Sequence, residues 1–92
     1  MLMEPWKYIS KVRKNNDPEI DLHGMRVHEA IELLDYKIPE WMVAFDFVRV
    51  MHGHGTGKLR SGVVSFLKKH PSVREVVDTP EGLRCGYVTV YF

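Results

Sequence analysis

A lone cysteine, Cys85, leaves this chain unable to close an intrachain disulfide. That suits a reducing compartment, and a cytoplasmic protein is expected. Flanked by Arg84 and Gly86, the thiol reads as partly buried and structural rather than reactive. No apolar run approaches the roughly 20 residues of a membrane-spanning helix, so no membrane partner is expected. The stretch from Met1 to Asn16 has no apolar core before a small-residue cleavage site, which argues against a secretory signal. No internal repeat is visible, which excludes solenoids and propellers. Net charge is only +1, so the chain is not globally basic. Its 92 residues make one domain and not two. Apolar residues at 45% and charged residues at 27% mark an ordinary globular composition.

What is present alternates between two periods. Residues 1–17 are polar and read as an N-terminal arm, with a short helix expected around Trp6 to Val12. The domain is expected over residues 18–92. Glu19 to Leu22 reads as a short strand ending at Gly24. Val27, Ala30, Ile31, Leu34 and Ile38 recur at helical spacing. Pro39 should end or kink that helix, with a last turn through Trp41 to Ala44. Phe45 to Met51 is a Val- and Phe-rich strand. Leu59, Val63, Phe66 and Leu67 mark a second helix, stopped by Pro71. Val73 to Val77 reads as a third strand. Pro80-Glu81-Gly82 turns the chain into Tyr87 to Phe92, which alternates as the last strand. The order β-α-β-α-β-β predicts an α/β two-layer sandwich. It has a four-stranded mixed sheet, two helices on one face, and the other face open.

Charge is divided along the chain. Glu29, Glu32, Asp35, Glu40 and Asp46 face only Lys37 between residues 29 and 46. From Phe47 to Arg74 there are cations (Arg49, Lys58, Arg60, Lys68, Lys69, Arg74) and no acid. Lys68 and Lys69 read as a solvated helix face. Lys58 and Arg60 differ, because they border Gly53-x-Gly55-x-Gly57 at a strand-to-helix turn. Glycines there admit close approach to the main chain, and free N–H groups at the helix start favour an anion. The plain alternative is a tight turn without a ligand, which one glycine would satisfy. A Walker A loop is excluded, since it needs four residues between its glycines and Ser or Thr after Lys. The dinucleotide fingerprint is excluded by its third glycine, which falls one position early.

Parallel pairing of the first two strands would bring His23-Gly24 and His52-Gly53 to one sheet edge, where open α/β sheets bind ligands. Alternation would put Asp21, His23, Arg49 and two tyrosines on the open face. The phosphate-binding candidates are then Gly53, His54, Gly55, Thr56, Gly57, Lys58, Arg60 and Arg49. Asp21, His23 and His52 are the acid–base candidates, since imidazole titrates near neutrality and a carboxylate can orient it. The plain alternative for Asp21 is a structural partner of Arg49 or of backbone N–H groups at the first helix. His28 and His70 read as surface residues. Asp21, His23 and His54 also form a minimal candidate metal set, although no Cys pair or helical His pair supports zinc. A cofactor, if used, would be a divalent cation such as magnesium or manganese.

At these residues the chain resembles a known family. Ile20-Asp21-Leu22-His23-Gly24-Met25-Arg26-Val27-His28-Glu29-Ala30 is similar to the LDLHG and EA signature of the Smr (small MutS-related) domain. His52-Gly53-His54-Gly55-Thr56-Gly57-Lys58-Leu59-Arg60 matches its second signature, HGxGxGxLR. The closing Gly86-Tyr87-Val88-Thr89-Val90 also fits, and the resemblance covers about Pro18 to Phe92. The departures are Ile20 for the usual Leu, His54 where a basic residue is frequent, and Pro39 in the first helix. The resemblance implies a fold like the C-terminal domain of translation initiation factor three, and a free-standing single-domain member. It implies nucleic-acid binding and endonuclease activity, a nicking of DNA or RNA. Carried over by position, Asp21, His23, His52, Gly53 and Gly55 are its functional residues. Two other readings stay open: a non-catalytic nucleic-acid-binding module acting through the glycine-rich turn, and a protein-interaction domain.

Overall fold

A computed structural model describes residues 17–92. The short helix expected around Trp6 to Val12 lies outside them. Seven elements follow in order: β1 (Glu19–Asp21), α1 (Val27–Ala44), β2 (Phe47–Met51), α2 (Lys58–Lys69), β3 (Glu75–Val77), α3 (Pro80–Cys85) and β4 (Tyr87–Tyr91). The sheet order is β1-β2-β4-β3. β1 runs parallel to β2, while β4 lies antiparallel to both β2 and β3. The four-stranded mixed sheet of the α/β sandwich is therefore present.

The strands alternate as their sequence requires. Ile20, Val48, Val50, Val88 and Val90 are fully buried with Ala30, Leu34, Ile38 and Trp41 of α1 and Val63 and Leu67 of α2. Each fully buried aliphatic side chain contributes about 1.5–3 kcal/mol. This explains why α1 does not stop at Pro39. Ile38 and Trp41 sit on the buried face on either side of it, and Pro39 itself is exposed. Burial of two large side chains offsets the roughly 3 kcal/mol cost of an internal proline.

The turn expected at Pro80-Glu81-Gly82 is a helix instead. Thr79 caps it, its hydroxyl accepting from the Gly82 N–H at 2.9 Å. Pro80 occupies the first turn, and Gly86 closes the other end at φ +78°. Proline at the start and glycine past the end is the usual helix asymmetry. Cys85, expected to be partly buried, is exposed at the end of this helix.

The sheet face away from α1 and α2 is not open, which corrects the expectation. Glu19, Tyr87 and Thr89 on it are 0%, 2% and 5% exposed. Arg49 fills much of it. Its guanidinium lies 5.5 Å from the Phe47 ring centre and 5.7 Å from that of Tyr87, and it pairs with Asp17 at 2.8 Å. Burial opposes the Arg49 charge, but hydrogen bonds to Asp17 and Tyr87 outweigh it and raise its pKa further. At the other end α3 packs against Tyr87: a Cβ on Gly82 would lie 3.2 Å from its ring. Lys37 is also fully buried, paired with Glu40 at 3.2 Å, although the sequence pattern marked it only as the lone cation of an acidic stretch. His70 is not a plain surface residue. It caps α2, meets the Phe66 ring edge-on, and lies 3.5 Å from Asp35 of α1.

Candidate functional site

The turns after β1 and β2 meet at one sheet edge. Asp21 is in register with Met51, and the Leu22 N–H donates to the Met51 carbonyl at 2.7 Å. The next residues on each strand are therefore side by side. A Cβ placed on Gly53 would lie only 3.1 Å from the Cβ of His23. His23, Gly24, Met25, His52, Gly53, His54, Gly55, Thr56, Gly57, Leu59 and Arg60 line one pocket of about 320 Å³.

Each histidine is held differently. The Asp21 carboxylate accepts from the His23 backbone N–H at 3.0 Å and lies 2.6 Å from its Nδ1. A carboxylate can only accept, so Nδ1 carries a proton and Nε2 is left for a ligand. The ring is 71% exposed. His52 is 7% exposed, and its Nδ1 donates to the Gly53 carbonyl at 2.7 Å. Its Nε2 is buried and has no hydrogen-bond partner among the described residues. Burial lowers the His52 pKa below 6.5, and the positive charge of Arg60 adds to this, against the raising effects of the Gly53 carbonyl and Asp78. His52 is thus kept neutral, with its bare lone pair on Nε2. His54 is tied back, its Nε2 donating to the Arg84 carbonyl at 2.8 Å.

The floor is the glycine turn at the start of α2. Gly57 caps the helix at φ +88° with no side-chain cap, and the first turn of α2 holds no acid. These are the conditions under which backbone N–H groups receive an anion. Arg60 lines the pocket and pairs with Asp78 at 2.6 Å, an exposed pair that a phosphate can compete with. Lys68 and Lys69 lie in the last turn of α2, where cations complement the helix dipole.

Of the residues singled out from sequence, the structure brings His23, His52, Gly53, His54, Gly55, Thr56, Gly57 and Arg60 to the pocket. Asp21 stands behind His23. Lys58 is exposed at the head of α2 without lining the pocket, and Arg49 is committed to Asp17 and two aromatic rings. Among the described residues no three His, Cys, Asp or Glu side chains gather as a metal set, so Asp21, His23 and His54 do not form one. Sequence reasoning missed Gly86, whose carbonyl accepts from the N–H groups of both His52 and Gly53 at 2.9 and 3.0 Å. The signal was the helix stop after Thr79-Pro80.

The geometry defines a small α/β domain with a pocket of about 320 Å³ between two histidine-bearing turns. The Smr domain family model matches residues 20–90, and the chain belongs to that family. It is 41% identical over 78 residues to endonuclease MutS2 of Thermomicrobium roseum, covering 82% of this chain and 10% of that protein. With endonuclease MutS2 of Staphylococcus epidermidis it shares 38% identity over 74 residues, 78% of this chain and 10% of the relative. The chain thus spans about a tenth of the length of these curated relatives. The Smr domain of Thermus thermophilus MutS2, a crystal structure, matches with a TM-score of 0.71 and 32% identity over 79% of this chain and 94% of that one. Among the described residues no helix is long and apolar enough to cross a membrane.

Proposed function

We propose that this Smr domain binds nucleic acid at the glycine-turn pocket and cleaves its phosphodiester backbone. The observation that supports this most is the pairing, across one pocket, of a buried neutral His52 with an exposed His23 braced by Asp21. A phosphate seated on the N–H groups of the turn and on Arg60 would lie between them. The endonuclease names of the relatives point the same way. Lys58 and Arg60 supply attraction, and the histidines supply proton transfer.

The test is incubation of pure protein with labelled single-stranded RNA, supercoiled DNA and branched DNA, each with and without magnesium or manganese. Wild type should produce breaks. Asp21→Asn and His52→Ala should slow cleavage by about 10²- to 10⁴-fold, the usual loss for a positioned acid or base. Affinity should stay within a few fold, because neither side chain is needed to hold a phosphate on backbone N–H groups. Binding without cleavage above that of a variant carrying both Asp21→Asn and His52→Ala would leave a non-catalytic binding module.

A further inference from the structure

We infer that the sheet face away from α1 and α2 is the docking site of the chain's own N-terminal segment, with residues 5–14 laid across it as an amphipathic helix. Register puts Glu19 of β1, Arg49 of β2 and Thr89 of β4 in one row on this face, with Tyr87 in the next row towards the glycine turn. β1 is an edge strand of the sheet, so Glu19 sits where a bare face would be wettest. Glu19 is nevertheless fully buried, and Thr89 and Tyr87 nearly so. α1 and α2 cover the opposite face. The described contact of α3 with this face is at Tyr87, two strands away from Glu19. Phe47 and Tyr91, one row further from the glycine turn, are only half-buried. The dry track thus runs from the start of β1 to the start of β4, and a layer of chain along that track accounts for it.

The chain itself delivers the occupant. Asp17 pairs with Arg49 at 2.8 Å, and the Arg49 N–H donates to the Pro18 carbonyl at 2.9 Å. Residues 1–16 therefore set out from this face. Trp6, Ile9 and Val12 recur at i, i+3 and i+6, while Lys7, Lys11 and Lys14, at i, i+4 and i+7, fall on the opposite side of a helix. Pro5 suits the first turn of such a helix. A helix over residues 5–14 is about 15 Å long, and a five-residue strand such as β2 or β4 about 17 Å, so the segment matches the face in length. The charges also match. Residues 1–16 carry Lys7, Lys11, Arg13 and Lys14 against Glu4, and the face carries Asp17, Glu19 and Glu75 against Arg49.

With its apolar stripe down, the segment brings Trp6 to Tyr87 and leaves the three lysines in water. Tyr87 follows Gly86, whose carbonyl holds the His52 and Gly53 N–H groups. The docked segment therefore closes against the strand end that anchors the glycine turn.

The test uses the whole chain in dilute solution. Amide exchange should slow by about 10²-fold or more over residues 9–14, compared with a free peptide of that sequence. The Trp6 ring should show nuclear Overhauser contacts to Tyr87 and Thr89. Trp6→Ala combined with Ile9→Ala should abolish the protection and lower Tm by roughly 10 °C or more. Lys7→Gln, Lys11→Gln and Lys14→Gln together should leave the protection in place. The wild-type contacts decide the matter even where the Trp6 and Ile9 variant fails to fold. Unprotected residues 9–14, or Trp6 contacts to the exposed Tyr36 and Val43 of α1 instead, overturn the docking. Protection lost in the lysine variant and kept in the Trp6 and Ile9 variant overturns the assignment of the apolar stripe. Protection that disappears on dilution, together with a dimer in sedimentation, gives the face to a second copy's segment and overturns docking within one chain.

Discussion

The glycine-rich turn has an inner half and an outer half, and they are built on different terms. The inner half is packed. The His52 and Gly53 N–H groups share the Gly86 carbonyl, and the Gly53 carbonyl accepts a hydrogen bond from His52 Nδ1. A Cβ on Gly86 would fall 3.0 to 3.1 Å from the Cα, C and O atoms of Gly53. The outer half, Gly55 to Lys58, is exposed, and a Cβ at Gly55 or Gly57 would meet nothing within 4 Å. One motif of alternating glycines therefore serves two needs. The inner glycine lets two main chains touch and holds His52 in place. The outer ones leave main chain bare beside the head of a helix.

The sharpest way to break this contrast is to add the same methyl group against the inner half, at Gly86 where it meets Gly53, and to the outer half, at Gly55. Gly86→Ala must adopt φ near +78° and push against backbone that cannot rotate aside. The left-handed conformation alone costs about 1–2 kcal/mol, and the contact raises the expected loss to about 2–3 kcal/mol. That should lower Tm by roughly 10–20 °C for a domain of this size. Gly55→Ala has open space and no positive φ, so its stability should stay within about 0.5 kcal/mol. Thermal melts of the two variants decide the matter. Comparable losses would mean that the turn is one packed unit.

The same contrast explains what could be read from the sequence. The core strands and α2 were legible because Val48, Val50, Val63, Leu67, Val88 and Val90 follow the periods of strand and helix. The meeting of His23 with His52 was legible because parallel pairing fixes which strand ends share an edge. What stayed hidden depends on contacts distant in sequence. α3 is too short to show a period, and its Pro and Gly read equally well as a turn. Arg49 was expected at the phosphate, but Asp17, 32 residues away, claims it. Nothing in alternation says that Tyr87 and Thr89 will be buried on the face away from the helices, or that α1 will run through Pro39. The neutral state of His52 depends on burial beneath a turn and on Arg60, and no motif encodes either.

A middle-sized effect sharpens the picture of the outer half. If its role is to meet phosphate, Lys58→Ala with Arg60→Ala should weaken nucleic-acid binding and flatten its salt dependence. The log–log slope should fall by about 0.9 for each lost contact on duplex DNA, or about 0.7 on a single strand. Stability should change little, since Arg60 and Asp78 form a partly exposed pair worth about 0–1 kcal/mol. A salt titration of affinity is the measurement. An unchanged slope would make the outer half a solvated helix head and move recognition elsewhere.

The smallest effect tests whether the inner half is as dry as its contacts imply. His52 has its pKa lowered from 6.5, first by burial and then by the Arg60 charge. Above pH 6.5 the ring is neutral in both folded and unfolded chains, and its contribution to stability is fully present. As pH falls below 6.5 the unfolded chain takes up the proton first, so stability declines until the folded pKa is passed. One proton gives a slope of at most about 1.4 kcal/mol per pH unit. His52→Gln removes that proton while keeping a polar side chain in the same place. Urea midpoints at pH 7.5 and pH 5 for both proteins isolate the term, because the other histidines cancel in the difference. Wild type should lose more stability than His52→Gln between the two pH values. Parallel losses would mean that water reaches His52 as freely as it reaches Gly55, and the division of the turn into a packed half and an open half would fail.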